Sequence, residues 1–234
     1  MGIFRLSNSI FALGLDAQEI AVYAYLCSLP GNGHTITDGT VITVKQRTVA
    51  ANCGMKSPVT VSRTIDRLRQ KGLVEYLERS KKANGQRGTY SYAVNLQQTV
   101  TGYFTVDRRV FGMLSPRQML VYLFLCKSFS TVLHDCWNSY NDIAAQIGMK
   151  RESVVQIIGE LVAAGLIART RRKSKRNRCV YVDNHYAIVR FETGHIRGKM
   201  LVRTTAPTSE SCGSGVEQTR LAPSPHFSFV RGSP

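Results

Sequence analysis

The sequence predicts an α+β fold, mainly helical, in which one architecture is built twice and followed by a disordered C-terminal tail. Three observations carry this. Residues 49–73 (VAANCGMKSPVTVSRTIDRLRQKGL) and 143–166 (IAAQIGMKRESVVQIIGELVAAGL) share a short Ala-rich helix, a Gly-Met-Lys turn and a second helix closed by Gly-Leu. Each block is preceded by an apolar helix with a capping signature. Each is followed by a strand–turn–strand segment rich in Lys and Arg. The helix, turn and helix within each block have the layout of a helix-turn-helix motif.

The elements follow in the same order in both copies. Phe4, Phe11 and Leu15 in the lead-in answer Phe104, Phe111 and Leu114. The helix LDAQEIAVYAYLC (15–27) matches LSPRQMLVYLFLC (114–126). Asp16 and Ser115 are good N-caps, with Glu19 and Gln118 three residues on and Pro116 at a first helical position. Leu15 is placed to staple to Ile20, and Leu114 to Met119. Val22, Tyr23 and Leu26 recur as Val121, Tyr122 and Leu125, a stripe at helical spacing that reads as core.

Gly and Asp mark the loops that follow (30–39 and 128–135). A β-rich stretch, TVITV (40–44), precedes the second helix of the first copy, and a less regular stretch around Cys136 and Trp137 precedes that of the second. Trp137, the single tryptophan, is expected to anchor a core. Second helices are predicted over 45–52 and 139–146, ended by Gly54 and Gly148 in left-handed positions. Third helices are predicted over 57–71 and 151–164. Val61, Ile65 and Leu68 form the inward stripe of one, and Val154, Ile158 and Leu161 that of the other. Hairpins are predicted over 74–94, with an Asn84-Gly85 turn, and over 167–182. Arg87 and Tyr90 are read as the counterparts of Arg178 and Tyr181.

A basic hairpin directly after the second helix of a helix-turn-helix is a wing, and from residues 4–94 and 104–191 the chain resembles the winged-helix family. The Phe-containing lead-in, the VY-containing first helix and the GMK…V…I…L…GL block also look like the helix-turn-helix proteins of plasmids and integrative elements, including the N-terminal domain of RepA-type replication initiators. The resemblance implies two tandem winged helix-turn-helix domains, residues 1–96 and 97–192, before a flexible tail of 193–234. That tail is rich in Ser, Pro and Gly and lacks periodicity.

Charge is placed unevenly on this scaffold. The chain of 234 residues carries a formal net charge of +16. From Lys56 to Arg87 there are nine cations against three acids, and from Lys150 to Arg178 nine against two, together +13 of the +16. Two cationic runs at matching positions of two repeats point to a polyanion, most simply DNA. The third helices are expected to read the major groove with Lys56, Ser57, Thr60, Arg63 and Arg67 in the first copy, and with Lys150, Arg151, Ser153 and Gln156 in the second. The wings offer Lys81, Lys82 and Arg87, then Arg171, Arg172, Lys173, Lys175, Arg176 and Arg178, to phosphates or a minor groove. On this division the first copy gives more selectivity and the second more electrostatic grip.

The remaining composition narrows the alternatives. The six cysteines form no CxxC pair, and His134 and Cys136 have no second ligand pair, so zinc is not expected. The histidines are scattered, with no HxH, DxD or phosphate-binding glycine loop, which argues against a nuclease or relaxase. No cofactor is expected. No stretch approaches the roughly 20 apolar residues of a membrane span, and the N-terminus lacks a basic leader. The reading is a cytoplasmic, nucleoid-associated protein that binds double-stranded DNA, as a transcription regulator or as a replication initiator of a plasmid or mobile element. Host replication or transcription proteins are the expected further partners, and homodimerisation is left open. The alternative is a non-catalytic scaffold that uses its winged helices to hold proteins.

Overall fold

A computed structural model describes residues 2–31, 35–36, 39–81, 85, 87–96, 102–130, 136–173 and 181–189. The first copy runs β1 (Ile3–Ser7), α1 (Ala17–Ser28), β2 (Thr35–Ile36), β3 (Gly39–Val44), α2 (Gln46–Asn52), α3 (Pro58–Gln70), β4 (Val74–Lys81) and β5 (Arg87–Asn95). The second runs β6 (Tyr103–Asp107), α4 (Pro116–Ser128), β7 (Cys136–Trp137), α5 (Tyr140–Ile147), α6 (Arg151–Ala163), β8 (Ile167–Lys173) and β9 (Tyr181–Ile188). These are two winged helix-turn-helix units, in the order β2-β3-β5-β4 for one sheet and β7-β9-β8 for the other. The tail expected over 193–234 lies outside the described residues.

Local chemistry sets the helix boundaries. Asp16 Oδ1 accepts from the N–H groups of Gln18 and Glu19, while Glu19 Oε2 accepts from the Asp16 N–H, each at 2.8 Å. Ser115 and Gln118 form the same reciprocal box at the start of α4, with Pro116 as its first residue. Gly148 ends α5 at φ 65°, a conformation costly to any residue with a Cβ.

The lead-ins join the two copies. β1 and β6 pair antiparallel, Phe4 opposite Val106, Arg5 opposite Thr105 and Leu6 opposite Phe104. Position i of the first lead-in corresponds to i+100 of the second, so this register maps onto itself when the copies are exchanged. A local pseudo-two-fold axis therefore passes between Arg5 and Thr105. The aromatic side chains obey it. Phe4 stands 5.7 Å from Phe111, and its mate Phe11 stands 6.1 Å from Phe104. Tyr25 meets Phe111 edge-on at 5.1 Å, and Phe124 meets Phe11 edge-on at 5.8 Å. The tandem is an isologous dimer written into one chain.

This joint explains the burial of α1 and α4. Each packs on its own copy and also on the other, so Ile20–Leu26 and Met119–Cys126 are buried on every side, where the apolar stripe alone predicts one inward face. One hydrophobic core runs through both copies.

The symmetry is broken at the turns. In the first copy, the turn before α3 (53–57) is longer than its counterpart before α6 (148–150) and docks on the second copy's lead-in. The Gly112 N–H donates to the Asn52 carbonyl at 2.7 Å, and a Cβ on Gly54 would stand 2.6 Å from the Leu114 carbonyl oxygen. Nothing lies within 4 Å of the corresponding point at Gly148. There an open cleft of about 910 Å³ separates Met149 and Lys150 from Leu15, Gln18, Ser115 and Arg117.

Two sequence expectations are corrected. Trp137 is not a core anchor: it is 54% exposed. Side chains alternate along β7, and Cys136 takes the inward position, so Trp137 is turned out. The counterparts in the wings also shift. Tyr92 pairs with Ile42 and Tyr186 with Cys136, and both tyrosines are fully buried. Tyr186 therefore occupies the place of Tyr92, and β9 continues to Ile188, beyond the expected end of the hairpin.

Candidate nucleic-acid interface

α3 is held by three apolar residues and leaves a polar face outward. Val61, Ile65 and Leu68 are fully buried, whereas Val59, Arg63 and Asp66 are exposed along one strip of the helix and Lys56 is exposed in the turn before it. Ser57 caps α3, accepting from the Val59 N–H at 3.1 Å. Thr60 is half-buried at the edge of the strip. Val59 is 59% exposed and absent from the polar set read in the sequence. Its signal is an apolar residue that falls off the inward stripe.

Arg67 is turned the other way. Its Nη2 lies 3.1 Å from Asp16 Oδ2 and its Nε 3.3 Å from Glu19 Oε1. Glu19, buried at 3% exposure, also accepts from Lys71 Nζ at 2.7 Å. The carboxylate thus serves the cap of α1, Arg67 of α3 and Lys71 at that helix's C-cap. A buried carboxylate is stable only with such partners.

In the second copy the same contact is made with different chemistry. Gln118, at the position of Glu19, donates to Glu160 Oε2 at 2.8 Å, and Glu160 stands at the position of Arg67. Gln156 donates to Glu160 Oε1 at 2.9 Å, along its own helix. Lys150 and Arg151 are exposed and Ser153 half-buried, at the start of α6 beside the cleft. The Arg151 guanidinium lies 5.9 Å from the Tyr140 ring, and the Tyr140 hydroxyl accepts from Arg169 at 2.7 Å.

The base of the first wing is stiffened from within. Arg79 donates to the Gly88 carbonyl at 2.9 Å and lies 4.4 Å over the Tyr90 ring, which belongs to a stack with Tyr76 and Tyr92. Lys81 and Arg87 are register partners at the ends of β4 and β5, and Arg171, Arg172 and Lys173 lie on β8. Lys82, Lys175, Arg176 and Arg178 lie outside the described residues.

Among the described residues no group of three or more His, Cys, Asp or Glu is arranged to hold a metal ion, and no helix is long and apolar enough to cross a membrane.

The tandem of capped helices, turns and winged sheets defines a protein of the helix-turn-helix class. The family model for the helix-turn-helix domain matches twice, at residues 13–74 and 112–167, together half of the chain, and the chain belongs to that family. No curated protein matches it. Among solved structures it is similar to a Pi initiator protein crystallised in complex with iteron DNA. That likeness has a TM-score of 0.48 and 11% identity, over 80% of this chain and 97% of that one.

Proposed function

We propose that the chain binds double-stranded DNA sequence-specifically, with α3 and α6 in major grooves and the wings on the phosphate backbone. The observation that carries this reading is the placement of charge. The segments holding the third helices and wings supply +13 of the net +16, and Val59 and Arg63 are exposed on α3 with Lys56 exposed in the turn before it. Lys56, Ser57, Thr60 and Arg63 would read base edges and phosphates in one half-site, and Lys150, Arg151, Ser153 and Gln156 in the other. Val59 adds an apolar group suited to a thymine methyl. Arg67 supports the reading helix from behind. The wing cations, Lys81, Lys82 and Arg87 with Arg171, Arg172, Lys173, Lys175, Arg176 and Arg178, supply affinity without sequence information.

The biological role that fits is a replication initiator of a plasmid or mobile element, or a transcription regulator. Footprinting on the DNA that flanks the gene separates them: repeated sites beside an origin indicate initiation, and one operator at a promoter indicates regulation. The underlying reading is tested by a gel shift with random duplex at about 50 mM salt, where phosphate contacts are strongest. Absence of any shift there would overturn it in favour of a protein-holding scaffold.

A further inference from the structure

Few side chains on the outward strip of α6 are available to read a base. Val154, Ile158 and Leu161 are fully buried. Matching them to Val61, Ile65 and Leu68 sets Glu152, Gln156 and Gly159 in the places of Val59, Arg63 and Asp66, and all three are exposed. Gly159 has no side chain, and open space lies where its Cβ would stand, so packing does not call for glycine there. Gln156 donates along its own helix to Glu160. The Arg151 guanidinium stands over the Tyr140 ring, and Ser153 is half-buried at the cleft. Glu152 is the exception. Among the described residues it has no hydrogen-bond or ion-pair partner.

An unengaged carboxylate in that place needs a reason. Facing a polyphosphate it repels, unless a group of the ligand donates to it. Glu152 lies in the first turn of α6, whose N-cap Lys150 makes no side-chain cap, so its charge does favour the helix N-terminus. That benefit is the same whatever base lies opposite. The first copy has Val59 at the matching point, where an apolar side chain faces the ligand.

The chemistry of the groove selects the base. An ionised carboxylate only accepts hydrogen bonds. In the major groove guanine presents two acceptors, thymine an acceptor and a methyl group, and adenine an acceptor beside its amino group. Cytosine presents an amino donor and no acceptor of its own. On the reading that α6 lies in a major groove, on which this rests, we propose that Glu152 sets the specificity of the second half-site at one position. Its carboxylate accepts from the N4 amino group of cytosine and repels the acceptors of the other bases. The second residue of each reading helix is then a selector, Val59 for the thymine methyl and Glu152 for the cytosine amino group.

The full chain and its Glu152→Val variant, which carries the first copy's residue, are each used to select sites from a random duplex pool. One position of the second half-site should change from cytosine to thymine. That cytosine is then replaced by N4-methylcytosine, which still pairs with guanine but turns a methyl group into the major groove in place of the amino hydrogen. The wild-type chain should lose about 10- to 100-fold in affinity, as for a hydrogen bond to a charged group. Glu152→Ala should bind the two duplexes alike. It should bind random duplex at least as tightly as wild type, because one negative charge has gone.

An unchanged consensus in Glu152→Val would overturn the proposal, as would a wild-type chain indifferent to N4-methylation at every cytosine of the half-site. Either result with random duplex still bound removes the role of Glu152 alone. Failure of the wild-type chain to bind any duplex removes the DNA reading, and this role with it.

Discussion

Gly54 lies against Leu114: a Cβ at Gly54 would stand 2.6 Å from the Leu114 carbonyl oxygen and 3.0 Å from the Ser115 Cα. The glycine therefore meets two demands, a left-handed φ of 62° and a backbone approach between the two copies. Gly148 meets only the first, at φ 65° in open space. Gly148→Ala is expected to cost about 1 kcal/mol, the left-handed penalty alone. Gly54→Ala should cost about 2–4 kcal/mol, because a main-chain carbonyl cannot swing aside as a side chain does. Urea unfolding of the two variants checks this. Equal losses would mean that the first turn is not packed on the second lead-in.

The contact of Arg67 with Asp16 and Glu19 separates two arginines that the sequence places on one face. Arg63→Ala should weaken DNA binding and leave stability within about 0.5 kcal/mol, as for an exposed surface change. Arg67→Ala should lower stability by about 1–2 kcal/mol, because it withdraws a cation from a buried carboxylate that retains Lys71. Its effect on DNA affinity should be smaller than that of Arg63→Ala. Gel shifts and unfolding curves on both variants decide it, and the reverse order would place Arg67 on the DNA.

What the sequence made legible was what local chemistry decides. The capping boxes at Asp16 and Ser115, the ends at Gly54 and Gly148 and the inward stripes of α3 and α6 depend on neighbours within a few residues, and they stand within one residue of expectation. The β1–β6 pairing was not legible. Its partners are about a hundred residues apart, and a five-residue strand carries no mark of the strand it will meet. The all-round burial of α1 and α4 follows from that unseen joint. Hydrophobicity alone puts Trp137 in the core, but the alternation of the two-residue strand turns it outward. Arg67 and Arg63 differ only in which side of the helix meets α1, which no count of charges reveals.

Asp107 and Arg109 make the second lead-in sensitive to acid. Asp107 caps the 3-10 turn Arg108–Val110 and accepts from Arg109 through both its N–H and its Nε at 2.9 Å. Burial raises the carboxyl, but the hydrogen bonds and charge of Arg109 outweigh it and hold Asp107 below its ordinary range. A carboxyl that titrates lower when folded contributes stability above the unfolded value of about 3.9, and loses that contribution as pH falls through the folded value. Stability should therefore decline below about pH 4. Asp107→Asn should be less stable at pH 7 by about 1 kcal/mol and show a shallower acid decline. Thermal melts from pH 2.5 to 7 give both readings, and an unchanged acid limb would remove Asp107 as a contributor.

Val59 sits at the second position of α3, where a reading helix meets base edges. An exposed valine there can discriminate only by shape, and the thymine methyl is the apolar feature of the major groove. On the site recovered from a random duplex pool, replacing the thymine opposite Val59 by uracil removes one methyl group. The wild-type chain should lose about three- to fivefold in affinity, the worth of one buried carbon. Val59→Ala should bind both duplexes alike. A wild-type chain indifferent to uracil at every position would exclude the contact.

The symmetry of the joint makes a prediction about the DNA itself. The β1–β6 register and the Phe4–Phe111 and Phe11–Phe104 contacts map onto themselves when the copies are exchanged, and α3 and α6 should follow the same approximate two-fold. Two reading helices related in this way meet antiparallel strands, so the selected site should be an inverted arrangement with half-sites about one helical turn apart. It should also be imperfect. Val59, Arg63 and Arg67 stand where the second copy has Glu152, Gln156 and Glu160, so the two helices cannot favour the same bases. The first half-site should carry the stronger consensus, since the Arg63 guanidinium can bind guanine through two hydrogen bonds, whereas Gln156 is drawn toward Glu160. Selection from a random duplex pool, followed by exchange of Arg63 and Gln156, tests both parts. The exchange should move the stronger half-site to the other side of the dyad. A consensus of two direct repeats would show that the pseudo-two-fold of the lead-ins does not extend to the reading helices.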